Sequence, residues 1–561
     1  MGGPDTRDSG LAADAVASHL RRLTGRRAAV RADAYAGTVD AGQGDSGVRL
    51  AELVAAFSLA MDLGLGQPME HVLRSWIIAA RMGDRTGLAA DDRDSLYWVV
   101  TLAWVGCVAD TPEVASWFGD DIAFRRDSYR VDQAGLPMMG FALKHVALGS
   151  PPLHRLLRAA DLVVTGRAAI QRGLMSHCLT TAQMAERLGL GEVSDPLQQV
   201  FARWDGTGVP NGVAGEGIAP AVRLFHLADT AEVHHWTGGV AGAVEVARAR
   251  RGKQFDPAVV DAFCGSAAEV LADLDAIPGW SGLIESEPGL QRRLTNRELD
   301  QALEAVGDFT DLRSASRAGH SRAVAALSGG AAEMCGLPDS EVVTLRRAAL
   351  VHDLGMHGLP ATIIDKPGPL NGSESERMRM RAYYTERMLA RPAALARIGA
   401  VAALANERMD GSGYHRGLSG PAISVTGRIL AAADAYQAMT EPRAHRPAMS
   451  AGAAADELRT EVRAGRLAGD AVDAVLAATG QRRGKRRSGP AGLTAREVEV
   501  LTLIARGASN RQVARSLGIS EKTAGTHIEH IYTKTGASSR STATLFAVQH
   551  GLLDSYETLD L

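Results

Sequence analysis

The sequence predicts an all-α chain, with two helical domains in tandem followed by a small four-helix domain. Three observations carry that expectation. Apolar residues recur at 3.6-residue spacing through most of 50–480, as in Leu345, Ala348, Ala349 and His352, whereas β-branched alternation is scarce. A set of landmark residues occurs twice in one register, which is the mark of an internal repeat. After a basic, glycine-containing stretch the pattern changes to short helices with sharp caps.

The elements follow in order. Residues 1–45 are rich in Gly, Ala, Asp and Arg with weak periodicity, and are expected to form a weakly ordered arm. Residues 46–290 make a first helical domain, 291–480 a second, 481–490 a basic linker and 491–561 the C-terminal domain. A chain of 561 residues that is 46% hydrophobic and 22% charged has material for about three cores and is neither disordered nor strongly polyionic. The longest apolar run, Tyr97 to Ala109, is shorter than the ~20 residues a bilayer needs and is expected to be a buried helix. No membrane span and no secretory signal are read, and a cytoplasmic location is expected. Cys107, Cys178, Cys264 and Cys335 form no CxxC pair and are expected to be core thiols of a reducing compartment.

The repeat is read from four landmarks. Asp205-Gly-Thr-Gly-Val-Pro210 is matched by Asp410-Gly-Ser-Gly-Tyr-His415, and each is followed at the same two offsets by an Arg (Arg223, Arg428) and an Asp (Asp229, Asp434). Upstream, the interval from His71 to Ala103-Trp104 equals the interval from His320 to His352-Asp353. The stretch from Trp104 to Asp205 is much longer than the stretch from Asp353 to Asp410, so the first copy carries an insertion, expected within 110–165.

Charge is unevenly spread. Residues 481–561 carry 12 Lys and Arg against 7 Asp and Glu, a surplus of +5 that leaves −8 on residues 1–480. The C-terminal segment is therefore the part suited to a polyanion. Thr494-Ala-Arg-Glu497 and Ser509-Asn-Arg-Gln512 are capping boxes, Gly518 stops the second helix, and Ser520 caps a third. In that third helix Ala524, Ile528, Ile531 and Thr535 share the inner side, while Lys522, Thr523, Thr526, His530 and Lys534 share the outer one. A short helix, a tight turn and a helix with a polar, basic outer face make a helix-turn-helix. The stretch 491–555, with LTAREVEVL, GASNRQVARSLGIS, EKTAGTHIEHIYTKTGA and Arg540, closely resembles the LuxR-type DNA-binding domain. The resemblance implies double-stranded DNA as partner and a homodimer, with Lys522, Thr523 and Thr526 at phosphates and base edges, His530 on the same face, and Arg511 and Lys534 on the backbone. Gly525 stands where that family often has a basic residue, and Thr535 where it usually has Leu.

In the second copy, an adjacent His-Asp, a His one helix earlier and an Asp on a later helix supply imidazole and carboxylate donors for a divalent metal. These are His320, His352, Asp353 and Asp434. With Glu407-Arg-Met-Asp-Gly-Ser-Gly-Tyr414 they resemble the HD-GYP domain, over 300–480 and more weakly over 50–265. The resemblance implies a helical fold and, in active members, hydrolysis of cyclic di-GMP at a two- or three-metal centre. The departures are informative. Ala405-Asn406 stand where that family has a His-His pair, Arg381 where it has a His, Met356 where it has a Lys, Ser316 where it has a carboxylate, and His415 where it has a Pro. Loss of three imidazoles leaves ligands for at most one metal (Fe, Mn, Mg or Zn), and Arg381 brings a positive charge that favours a phosphate. Arg381, Glu407 and Asp410 are the expected ligand-binding residues. In the first copy Ala103-Trp104 and Val200-Phe201-Ala202 occupy the corresponding motif positions, a packing choice that points to a structural or ligand-sensing role.

The main reading is a DNA-binding transcriptional regulator whose degenerate HD-GYP-like domains sense a nucleotide or other small effector, or mediate dimerisation. The alternative is a metal-dependent HD-type phosphohydrolase of nucleotides or cyclic dinucleotides fused to a DNA-binding domain. A third reading makes the body an interaction scaffold, with His320, His352 and Asp353 a hydrogen-bonded relic.

Overall fold

The computed structural model describes residues 44–148, 150–274, 279–391, 393–479 and 490–553. The expected arm and basic linker lie almost wholly outside these. The described residues are helical almost throughout. Its one sheet among the described residues joins β1 (Asp45–Arg49) antiparallel to β2 (Arg293–Thr295), the strands that open the two copies.

The first copy contains α1 (Leu50–Leu65), α2 (His71–Thr86), α3 (Ala90–Leu102), α4 (Cys107–Phe118), α5 (Asp121–Ser128), α6 (Gly135–His145) and α7 (Pro152–Arg187). After these come α8 (Ser194–Leu197), α9 (Pro220–Ala249), α10 (Pro257–Val270) and α11 (Gly279–Ser286). The second copy runs through α12 (Asn296–Asp311), α13 (His320–Met334), α14 (Asp339–Val351), α15 (Ala361–Ile364) and α16 (Gly372–Met388). It closes with α17 (Ala393–Ala402), α18 (Val425–Thr440), α19 (Ala451–Arg463) and α20 (Gly469–Ala478). The C-terminal module is α21 (Ala495–Ala505), α22 (Asn510–Leu517), α23 (Glu521–Thr535) and α24 (Arg540–Gln549).

The repeat is visible in local chemistry. Before each landmark His the backbone takes a left-handed step, at Glu70 (φ 74°) and Gly319 (φ 81°). Upstream of each, at the same offset, a buried Asp caps the incoming helix: Asp62 accepts from the Val72 amide (2.9 Å), and Asp311 from the Ser321 amide (2.8 Å). Each DGxG loop is pinned by its Asp, with Asp205 accepting from the Thr207 amide and Asp410 from the Ser412 amide. In both copies a glycine lets another helix come close: a Cβ on Gly106 would strike the carbonyl of His177, and one on Gly355 that of Arg381. That pairing makes His177 and Arg381 equivalent, and likewise Cys107 and Met356.

Residues 110–165 comprise most of α4, all of α5 and α6 and the opening turns of α7. The apolar run Tyr97–Ala109 is not one buried helix: it is divided between α3 and α4 by the turn that holds Trp104, although most of its side chains are buried. No helix among the described residues is long and apolar enough to cross a membrane. The expectation of four core thiols also needs correction. Cys107 and Cys178 are buried, but Cys264 is half-buried and Cys335, at the end of α13, is exposed.

A buried charge relay ties the copies together. Arg125 on α5 donates to Asp110 (2.5 Å) and Asp121 (2.9 Å), and Asp121 also accepts from Arg313 of the second copy (3.1 Å) and from the Ala361 amide (2.8 Å). Arg313 is 1% exposed and donates on to the Leu359 carbonyl and to Thr111. Removing one member strands a charge in the interior. Arg313→Leu is expected to lower unfolding free energy by ~3–5 kcal/mol, read as a lower urea midpoint with no apolar gain large enough to offset it; an unchanged midpoint would contradict this account of the junction.

Candidate functional site

In the second copy five segments converge. Helix α13 opens with His320, α14 ends into His352 and Asp353, α16 contributes Arg381, the 3-10 turn Ala403–Asn406 closes one side, and α18 contributes Asp434. His320, His352 and Asp353 are buried, while Asp434 keeps 9% exposure and marks the more open side. His320 Nε2 is 3.2 Å from Asp434 Oδ1 and 3.9 Å from Asp353 Oδ2; His352 Nε2 is 3.4 Å from Asp353 Oδ2 and 3.6 Å from Asp434 Oδ1. The structure brings together all four residues expected as metal ligands.

Their outer partners set the tautomers. His352 Nδ1 donates to the Ala349 carbonyl (2.7 Å), which leaves Nε2 as the lone-pair nitrogen facing Asp434. His320 Nδ1 donates to Glu441 (3.0 Å), and its Nε2 faces Asp434 (3.2 Å). Two donors that face inward, His352 Nε2 and Asp353 Oδ1, have no hydrogen-bond partner although both are buried. Buried polar atoms without partners are rare, and a cation would satisfy both. The four-residue set therefore fits a single divalent metal of borderline or hard character.

The surrounding charge is cationic. Arg317 pairs with Asp353, and Arg381 Nη1 lies 3.7 Å from the other Asp353 oxygen. Burial, and then the neighbouring Arg443, lower the Arg317 pKa to about 10. Burial opposes charge on His320, yet Glu441 and Asp434 hold its pKa above the ordinary value. Burial likewise opposes charge on Glu441, and His320 and Arg443 still draw it down to about 2. Burial opposes the Asp434 carboxylate as well, and His320 and His352 beside it hold its pKa well below the ordinary range.

The three expected ligand-binding residues have different surroundings. Arg381 points into the site, with Nη2 donating to Asn406 (2.5 Å), which also accepts from the Tyr414 hydroxyl (2.9 Å). Glu407 has both oxygens engaged by the Arg416 and Leu418 amides, so it shapes the DGSG loop. Asp410 sits exposed in that loop, bonded to Ser412.

The first copy keeps this frame with different contents. His71 Nδ1 donates to Glu232 (2.5 Å), its Nε2 lies 3.2 Å from Asp229, and the Trp104 indole N–H donates to the same Asp229 oxygen (2.8 Å). Trp104 is boxed in by Phe201, Phe225, His177 and Tyr129, with ring centroids about 6 Å away. The indole fills the position that Asp353 holds in the second copy.

In the C-terminal module, Val513 and Ala514 of α22 and Ala524, Ile528 and Ile531 of α23 are buried. Gly518 makes the turn between them at φ 63°. Lys522, Thr523, Thr526, His530 and Arg511 are exposed on one side. Lys534 is engaged instead, its Nζ 2.7 Å from Glu497, the capping-box carboxylate of α21. The module is seated on the body: Ser176 of α7 donates to Ser539 (2.7 Å), the N-cap of α24, and Leu545 of α24 belongs to the main core.

Residues 304–469 match the HD domain family, and residues 491–547 match the bacterial regulatory proteins of the LuxR family. The chain thus joins an HD domain to a LuxR-type helix-turn-helix. Its relatives include the 3'3'-cGAMP-specific phosphodiesterase 3 of Vibrio cholerae, 29% identical over 71% of this chain and 88% of that protein. A cyclic di-GMP phosphodiesterase of Thermotoga maritima is 36% identical over 26% of this chain, which spans 41% of that protein. The crystal structure of a cyclic GMP-AMP-specific phosphodiesterase of V. cholerae superposes with TM-score 0.55 at 25% identity, covering 77% of this chain and 98% of that one.

Sequence reasoning missed Glu441, Glu232, Arg317 and Arg443. Most lie close in sequence to a landmark. Glu232 follows Asp229 within one helical turn, Glu441 follows Asp434 within two, and Arg317 stands just before His320. The different offsets of Glu232 and Glu441 hid them, because the repeat preserves a carboxylate on the earlier His, His71 or His320, without preserving its register.

The Glu441–His320 pair yields a pH signature for the HD domain. Glu441 has a folded pKa of about 2 against an ordinary 4.5, so its contribution is present above pH 4.5 and is lost as pH falls toward 2. The stability difference between metal-free wild type and Glu441→Gln should therefore be largest near neutral pH and shrink through that acid window in urea titrations; a difference that stays constant from neutral pH down through the window would refute the assignment.

Proposed function

We propose that this chain is a DNA-binding regulator whose HD domain holds one divalent cation and acts on a cyclic dinucleotide. The observation that carries this reading is the pair of orphaned inward donors, His352 Nε2 and Asp353 Oδ1, beside His320 and Asp434. A cation held by those four residues would supply Lewis acidity and a nucleophile at neutral pH for a phosphodiester. The names of the relatives support the substrate class. The chain's own residues do the rest. Glu441 keeps His320 in the metal-binding tautomer, and the Ala349 carbonyl does the same for His352. Arg381, beside Asp353, is placed to meet a phosphate oxygen, where a guanidinium makes a charge-assisted pair. Arg317 holds the other Asp353 oxygen, Oδ2, and so orients the carboxylate.

A second reading, binding without turnover, is favoured by a specific observation: Ala405 and Asn406 offer no imidazole, and Asn406 instead bonds Arg381 and Tyr414. One assay separates the two. Full-length protein loaded with Mn2+ or Fe2+ is incubated with 3'3'-cGAMP and with cyclic di-GMP, beside His352→Ala. Linear dinucleotide released by wild type and absent from the variant is the expected result; saturable binding without product selects the second reading, and neither binding nor product refutes both.

The LuxR-type module supports DNA as the output partner. A single head reads few base pairs, so two copies are needed for two half-sites. The first half of α7 supports pairing between chains. Leu153, Leu156, Leu157, Val163 and Val164 are 69, 67, 61, 58 and 82% exposed, at spacings that line one helix face as a coiled-coil seam would. Leu156→Glu with Leu157→Glu is expected to convert a dimer to a monomer in sedimentation and to weaken operator binding by about 10²-fold or more; a variant that still sediments as wild type would sink this interface.

A further inference from the structure

In the first copy His177, the counterpart of Arg381, joins a cluster whose other members, Cys107 and Asp110, are not HD landmarks. Cys107 and Asp110 stand one turn apart on α4, so they share a face, and His177 reaches them from α7. One donor atom from each, the Cys107 sulfur, an Asp110 oxygen and a His177 nitrogen, all fall within 4.8 Å of one another. We propose that these three residues form a second metal site, built for a thiophilic divalent cation such as Zn2+.

Four observations bear the proposal. His177 is fully buried, its Nε2 donates to the Ala103 carbonyl (2.7 Å), and its Nδ1 is left without a hydrogen-bond partner. That arrangement leaves Nδ1 as the ring nitrogen that faces the cluster. Asp110 divides its oxygens: Oδ1 accepts from Arg125 (2.5 Å), while Oδ2 lies 3.7 Å from His177 Nδ1. Arg125 also donates to the Cys107 carbonyl (3.1 Å), so one outer cation steadies two of the three ligands. Tetrahedral zinc holds such donors about 3.3–3.6 Å apart, so donors that now lie within 4.8 Å of one another close by at most about 1.5 Å on binding. One thiolate, one imidazole and one carboxylate match zinc and cobalt, and the thiolate disfavours magnesium. Three protein ligands leave a fourth position for water or an exogenous group.

The cluster is distinct from the position Trp104 has closed. Trp104 bonds Asp229, which also faces His71, whereas Cys107 and Asp110 lie one and two turns further along the chain. Its location gives it a consequence. His177 follows Ser176, the residue that donates to the N-cap of α24, and α4 packs against α24. A cation here would clamp together the two helices on which the LuxR-type module sits.

The test uses reduced, chelator-treated full-length protein titrated anaerobically with Co2+. The HD domain's four ligands contain no sulfur, so a near-ultraviolet thiolate-to-cobalt charge-transfer band reports a sulfur-containing site alone, and the outcome is independent of what the HD domain binds. The expected result is that band with tetrahedral visible absorption, saturating within the two equivalents of Co2+ that this site and the HD domain together can take, and displaced by Zn2+. Cys107→Ser, which keeps the size of the side chain, should abolish the band while the far-ultraviolet circular dichroism is unchanged. Asp110→Asn should weaken Co2+ binding by at least the ~10-fold that loss of an outer-shell partner costs. Absence of the band in wild type, or its persistence in Cys107→Ser, overturns the proposal.

Discussion

The architecture depends on a carboxylate that has no access to water. Asp121 is fully buried and is shared by Arg125 from its own copy and Arg313 from the other. Burial opposes its charge, and the two guanidiniums more than compensate, holding its pKa below the ordinary range. Such a cluster contributes little net stability compared with well-packed apolar residues, but any mismatch in it is costly. Its effect is therefore on register. It fixes α4 and α5 against the turn that carries His352 and Asp353, through the Leu359 carbonyl and the Ala361 amide. The DNA-binding module inherits that alignment through α4 and α7.

Two copies of one frame have taken opposite courses. Both retain a fully buried His at the start of a helix, a carboxylate on its Nδ1 side and an Asp on its Nε2 side. In the second copy the remaining space is lined by His352, Asp353 and arginines, and inward donors are left unmet. In the first an indole meets the Asp, and apolar rings fill the rest. A Trp that donates one hydrogen bond to a carboxylate and packs on four rings satisfies the same backbone without a cation. The two arrangements are alternative solutions to the problem of burying a His and an Asp.

Much of this was legible in the sequence, and what escaped has a physical pattern. The all-α class, the duplication and the helix-turn-helix followed from periodicity and capping, which are local. The quartet His320, His352, Asp353 and Asp434 followed from spacing, since an adjacent His-Asp and a His one helix earlier recur at the same interval as their counterparts in the first copy. The strands β1 and β2 escaped because they pair across the whole length of the first copy, which leaves no local signal. Asp121, Arg313, Glu441 and Arg317 escaped because a charged residue reads as solvated unless its partner is known. The exposed Cys335 and the divided run Tyr97–Ala109 show the converse error. Apolar composition states that a segment is buried, but not that it is continuous.

The seating of α24 on α4 and α7 bears on how an operator would be measured. A head hung on a flexible tether can reach half-sites at many separations, because the tether absorbs the difference. A head fixed to the rod-like α7, 36 residues long, cannot. In a pair of such chains the distance and rotational phase between the two recognition helices belong to the protein, and inserting half a turn of DNA between half-sites would place one of them on the wrong side of the duplex.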